Sequence, residues 1–361
     1  MQFNNKVIVA AAGSGKTTYI VKEALKKAPQ KTLIVTYTNK NREEIEKKII
    51  ELHGFMPNHI VVKSWYTFLL SDLIRPYQNF VYEERIDGVF FPTGPINRFA
   101  RKTSIKAYFL NTRNEVNKDR LSELAELIAQ KSEYKSITRI SELYDFIFID
   151  EVQDMAGYDL EIFNFLMHST INVLFVGDIR QATYATNNTN KNKKYKGINI
   201  IHYFMERTDI CDVDQSLNIS HRCNQFICDF ADSLFEGMAS TVSTNEELTG
   251  HDGVFIVHPN DVEEYIQKYN PQCLRYDART VLPRAINFGD SKGLTFDRVL
   301  IKPTAKMEKY FSTGELDLDE TILAKFYVAL TRAKYSVGII SATKNAKVNG
   351  TYNFKEESIL K

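Results

Sequence analysis

Lys16 and Thr17 close a run of small residues, Ala10-Ala11-Ala12-Gly13-Ser14-Gly15, that follows directly on the β-branched stretch Val7-Ile8-Val9. Small residues between a buried strand and a helix let backbone N–H groups turn inward on a phosphate, while the helix dipole points its positive end at the same anion. Ala12 to Thr18 is therefore the candidate nucleotide-binding loop. Within it Lys16 reaches the β- and γ-phosphates, and the Thr17 hydroxyl is a candidate ligand of Mg²⁺. The first glycine of the usual pattern is Ala10 here, a small residue that still fits.

A second site for chemistry is the apolar run Phe146 to Ile149, which ends in Asp150-Glu151-Val152-Gln153-Asp154. Adjacent carboxylates at the end of a buried strand are costly unless a cation or a reaction uses them. With a phosphate loop upstream, Asp150 is expected to hold Mg²⁺ through its water shell and Glu151 to polarise the attacking water. A further strand, Val173 to Val176, runs into Gly177-Asp178-Ile179-Arg180-Gln181, where Gln181 is positioned to sense the γ-phosphate. The cofactors implied are ATP and Mg²⁺.

These loops need strands and helices in strict alternation to present them. Thr32 to Tyr37 reads as a second buried strand and Asn39 to Leu52 as a charged helix; Ile60 to Val62 is a third apolar run. The rhythm lapses between about residues 75 and 140, a small insertion. Within it, Arg98 to Arg120 is predominantly basic and carries Phe99, Tyr108 and Phe109. Such a mixture suits phosphates and stacked bases, and equally suits a solvated helical face with core aromatics. The lysine-rich run Asn187 to Lys196 marks the expected boundary, giving domains 1–196 and 197–361. A second α/β pattern follows, without a second phosphate loop.

The length, 361 residues, suits two domains, and 46 basic against 45 acidic side chains leave a net charge of +1, so any nucleic-acid site must be a local patch. The 4 cysteines have no metal-ligand spacing and suit reduced thiols. Neither an apolar leader nor a membrane-length apolar run is present, so a soluble, cytoplasmic protein without a membrane partner is expected.

In order along nearly the whole chain, these motifs resemble those of the UvrD/Rep-like branch of superfamily 1 DNA helicases. Beside the phosphate loop, Tyr37-Thr38-Asn39-Lys40 matches the family's strand-end TNK motif. Ser64 to Phe68 is similar to its nucleic-acid contact element, Asp150 to Asp154 to its DExQD box, and Gly177 to Tyr184 to its GDxxQxxY box. Asn218 to Arg222 resembles the NYR motif, Ser291 to Asp297 the AKGLEF motif, and Tyr327 to Lys334 the last, YVALTRAK.

The resemblance implies an α/β protein of two RecA-like (P-loop NTPase) domains with parallel sheets, with ATP in the cleft between them and single-stranded DNA across their tops. It implies that Arg222 and Arg332 reach the γ-phosphate, that His221 stacks on a base and that Gly293 lies at the nucleotide. Thr38, Asn39, Lys40, Trp65, Tyr66 and Tyr184 would contact nucleic acid, with Arg98, Arg101, Lys102, Lys193 and Lys194 as further phosphate candidates.

Four departures bear on function. No glutamine motif that reads adenine precedes the loop; the aromatic and arginine that grip DNA in relatives are Thr186 and Asn187; Thr295 and Gly289 replace a glutamate and a histidine. Only a short stretch separates Arg222 from Lys292, where relatives carry a large insertion. The expected activity is ATP-dependent DNA translocation or unwinding, 3′ to 5′. The alternative is a nucleic-acid-gated ATPase switch within a larger defence or repair complex, alongside a partner protein.

Overall fold

The computed structural model describes residues 4–92, 101–343 and 346–355. Arg98 and Phe99 lie outside them. The chain forms two compact units. The first comprises residues 1–9, 16–179 and 184–214; the second comprises 10–15, 180–183 and 215–361. Residues 197–214, assigned to the second domain from the sequence, thus fall in the first unit.

The first sheet contains β1 (Asn5–Ala10), β2 (Thr32–Thr36), β3 (Ile60–Ser64), β6 (Phe146–Ile149), β7 (Asn172–Gly177) and β8 (Cys211–Leu217) in the order β3-β2-β6-β7-β1-β8. The short strands β4 (Gly88–Phe90) and β5 (Glu115–Asn117) pair with each other inside the insertion. Pairs β1–β7, β6–β7, β2–β6 and β2–β3 are parallel. Every residue of β2 is buried, as expected for a parallel strand covered by helices on both faces. The strand that carries the phosphate loop and the strand that carries the acidic pair are separated by β7 alone. Their loops therefore leave from the same edge of the sheet, the arrangement of a RecA-like domain.

In the second unit β9 (Ile219–Ser220) pairs with β10 (Val242–Ser243). The larger sheet holds β11 (Gly253–Val257), β12 (Gln272–Arg275), β13 (Ile286–Asn287), β14 (Phe296–Lys302), β15 (Ala333–Ile340) and β16 (Thr351–Asn353), in the order β13-β12-β14-β15-β11-β16. Its paired strands are parallel as well. The fold class is thus the one expected: α/β, with two parallel six-stranded sheets.

Helix starts follow side-chain capping. Thr38 caps the helix Asn39–His53 by accepting from Asn41 N, Asn224 caps Gln225–Asp232, and Asp319 caps Glu320–Leu330. The four cysteines are free thiols, all buried. Among the described residues, no helix is long and apolar enough to cross a membrane.

Candidate nucleotide and nucleic-acid site

The phosphate loop turns on two glycines. Gly13 and Gly15 sit at φ 75° and 74°, left-handed conformations that let successive N–H groups converge. The helix Lys16–Leu25 follows at once, so Lys16, Thr17 and Thr18 occupy its first turn. Ser14 is buried, and its Oγ has no hydrogen-bond partner among the described residues. A buried hydroxyl inside a cradle of backbone amides fits the oxygens of a polyphosphate. Lys16, Thr17 and Asp150 are the residues that would hold a nucleoside triphosphate and its Mg²⁺, the ion supplying charge neutralisation at the phosphates.

In the first unit Asp150 ends β6 with its N–H donating to Val35 O at 2.8 Å, and its carboxylate accepts from Thr36 Oγ1 at 3.4 Å. Glu151 then leaves the strand at φ 56°, ψ 40°, a left-handed conformation that costs a non-glycine residue about 1 kcal/mol or more. The Gln153 amide donates to the Glu151 carboxylate and fixes its direction. Gly177 allows this packing, because a Cβ there would lie 2.3 Å from Gln153 Oε1. Asp178 beside it is fully buried. The backbone is thus bent at the residue expected to act on water, and a side chain from the next turn holds that residue in place.

The second unit organises the two arginines on one corner. The helix Glu320–Leu330 ends at Thr331 and β15 begins at Ala333, so Arg332 sits at the turn between them. Arg332 is 1% exposed; its Nε donates to Val328 O at 3.0 Å and its Nη2 to Gln181 Oε1 at 3.3 Å. Arg222 Nη1 donates to Thr331 O at 3.0 Å. Residues 10–15 belong to the same unit. Ala12 N donates to the Tyr327 hydroxyl at 3.4 Å, His221 N donates to Gly13 O at 3.0 Å, and a Cβ on Gly13 would meet Arg222 Cβ at 2.7 Å. Gln181, Arg222, His221 and Arg332 are therefore assembled around the loop backbone. Gly293, at φ 87°, has open space around it.

Two residues here carried no assigned role in the sequence. Arg180 is buried in an ion pair with Asp232 at 2.6 Å and lies 5.0 Å above the Tyr327 ring. Its neighbour Gln181 thereby receives a fixed anchor. Tyr327 bonds the loop through its hydroxyl, a role that its place in YVALTRAK could have signalled.

The candidate strand path divides. Thr38, Asn39 and Lys40 lie exposed at the start of their helix, and Tyr184 is exposed as well. Trp65 does not join them. It is fully buried against Phe68 and Phe163, and its Nε1 donates to Asp159 Oδ1 at 2.8 Å, so the expected base-stacking role is corrected to a core role. Tyr66, the next residue, is half-buried with its hydroxyl donating to Thr186 O at 3.1 Å.

In the described part of the basic and aromatic stretch of the insertion the rings pack against the protein, while Arg101, Lys102, Lys106 and Arg113 stay exposed. Phe109 is core, and Tyr108 lies under the Arg120 guanidinium at 3.7 Å. Lys102 pairs with Glu123 and Lys194 with Glu206 while both lysines remain exposed, as do Arg101 and Lys193.

Asp159 explains what became of Thr186 and Asn187. Its buried carboxylate accepts from Trp65 Nε1, Ser122 Oγ, Thr186 Oγ1, Asn187 Nδ2 and Ala156 N. Burial pushes the Asp159 carboxyl upward, and these hydrogen bonds pull it back. Thr186 and Asn187 are thus both donors to a core carboxylate. Asp159→Ala strands several buried donors, each costing about 1–3 kcal/mol. It is expected to destabilise the fold by about 3 kcal/mol or more in equilibrium unfolding; Asp159→Asn, which keeps an acceptor, should cost less.

A family model described as an AAA domain matches residues 1–187. No curated protein sequence matches. Among solved structures, a PRRSV helicase is similar at 15% identity and TM-score 0.45, covering 95% of this chain and 53% of that one. An arterivirus nonstructural protein 10 (helicase) in complex with DNA is similar at 14% identity and TM-score 0.49, covering 93% and 60%. The chain spans only 53% and 60% of the lengths of these two structures.

Proposed function

The chain belongs to the AAA domain family, and from that premise we propose that it is an ATP hydrolase that translocates along single-stranded DNA, a compact superfamily 1 helicase of UvrD/Rep-like type. The observation that carries this reading is the contact of Arg332 with Gln181 in the unit where Arg222 abuts the phosphate loop. A planar, permanently charged fork beside a glutamine that senses the γ-phosphate is what phosphoryl transfer uses to stabilise charge in its transition state.

In this reading Lys16 and the loop amides bind the phosphates and Thr17 and Asp150 hold Mg²⁺. Glu151, fixed by Gln153, takes the proton from the attacking water. Gln181, Arg222 and Arg332 offset the charge that develops, and His221 stacks on the base. Thr38, Asn39, Lys40, Tyr66 and Tyr184 face the strand. The polarity, 3′ to 5′, rests on the resemblance of the motifs.

A second reading is favoured by the Thr186–Asn187 clamp: an ATPase switch gated by nucleic acid within a defence or repair complex, with little unwinding of its own. Strand displacement on a duplex with a 3′ or a 5′ single-stranded tail separates the two. Unwinding only from the 3′ tail is expected for the helicase, and hydrolysis without displacement on either substrate for the switch.

A further inference from the structure

Tyr37, Tyr66 and Phe91 come from the ends of β2 and β3 and from the residue after β4, yet their rings meet within the first unit. Tyr37 and Tyr66 lie 6.0 Å apart at 68°, and Tyr66 and Phe91 lie 5.7 Å apart at 77°. The two tyrosines form a fixed base. Tyr66 is tied to Thr186 O, and burial raises both phenols above their ordinary value. Phe91 is different. It is 61% exposed, held by its edge-to-face contact with Tyr66, and leaves most of its ring to solvent.

A single exposed phenylalanine needs no explanation. This one packs against Tyr66, which in turn packs against Tyr37, and the chain next to Tyr37 carries the exposed Thr38, Asn39 and Lys40. A solvent-facing ring and an exposed cation on the same unit suit a nucleotide, whose flat base stacks while its phosphate meets an ammonium group. Of the other candidates on the strand path, Thr186 is turned onto Asp159 and Trp65 is in the core, which leaves Tyr184 as the other exposed ring named there.

We propose that Phe91, supported by Tyr66 and Tyr37, is a base-stacking residue for single-stranded nucleic acid, contributed by the insertion. The proposal rests on the reading of the chain as a nucleic-acid-dependent ATPase. Stacking on a ring is tolerant of sequence, so the site takes any base.

The test is fluorescence anisotropy with a labelled oligothymidylate and an abasic strand of equal length, on wild type, Phe91→Ala and Phe91→Tyr. Wild type is expected to bind oligothymidylate about tenfold more tightly than the abasic strand. Phe91→Ala should lose that preference, weakening about tenfold on oligothymidylate and little on the abasic strand, and Phe91→Tyr should keep it. A preference that survives in Phe91→Ala, or an equal loss on both strands, overturns the assignment while leaving the functional reading intact. If wild type binds neither strand, the functional reading fails and the stacking site fails with it.

Discussion

Glu151→Gln is expected to slow ATP hydrolysis about 10²- to 10⁴-fold, the usual worth of a general base, while nucleotide affinity changes little. The substitution keeps an acceptor oxygen for the Gln153 amide and leaves the loop, Lys16, Thr17 and Asp150 intact. What it removes is the group that can take a proton from water. Lys16→Ala should also stop turnover, by another route: it deletes the charge that compensates the phosphates, so binding of a fluorescent ATP analogue weakens together with the rate. Single-turnover hydrolysis beside equilibrium binding separates the two. Undiminished turnover in Glu151→Gln would end the assignment of that residue as the base.

Arg332→Ala is expected to lower the rate at saturating ATP by about 10³-fold or more, the worth of an arginine that stabilises phosphoryl-transfer charge. Arg332 is also buried and bonds Val328 O, Leu294 O and Gln181 Oε1, so truncation removes packing together with charge. Arg332→Lys distinguishes these effects. It retains a cation of similar reach without the planar fork, and should melt close to wild type yet hydrolyse nearly as slowly as the alanine variant. A lysine variant of normal rate would show that the fork contributes nothing to chemistry.

The sheets were legible because buried parallel strands read as short β-branched runs, and β1, β2, β6 and β7 lie where such runs occur. Phosphate-loop and acidic-pair positions were legible for the same reason, since each follows the end of one of these strands. Side-chain direction was not. Nothing in Ser64-Trp65-Tyr66 says which ring turns inward; that depends on Asp159, far along the chain, offering Trp65 an acceptor inside the core. Thr186 and Asn187 looked like missing DNA contacts and are donors to the same carboxylate. Phe91 gave no signal, because it lies in an irregular segment and acquires meaning only when β4 brings it to Tyr66. Residues 197–214 fall in the first unit because β8, beyond a polar, lysine-rich run that resembles a linker, continues the first sheet.

If nucleoside triphosphate hydrolysis by this chain answers to single-stranded DNA, the steady-state ATPase rate of the purified protein must change across an oligothymidylate titration. Hydrolysis is expected to be slow without DNA, to rise saturably by about tenfold or more with it, and to reach half-saturation at higher DNA concentration as salt is raised, because phosphate contacts release counterions. A hydrolysis rate that stays the same at every DNA concentration would contradict it.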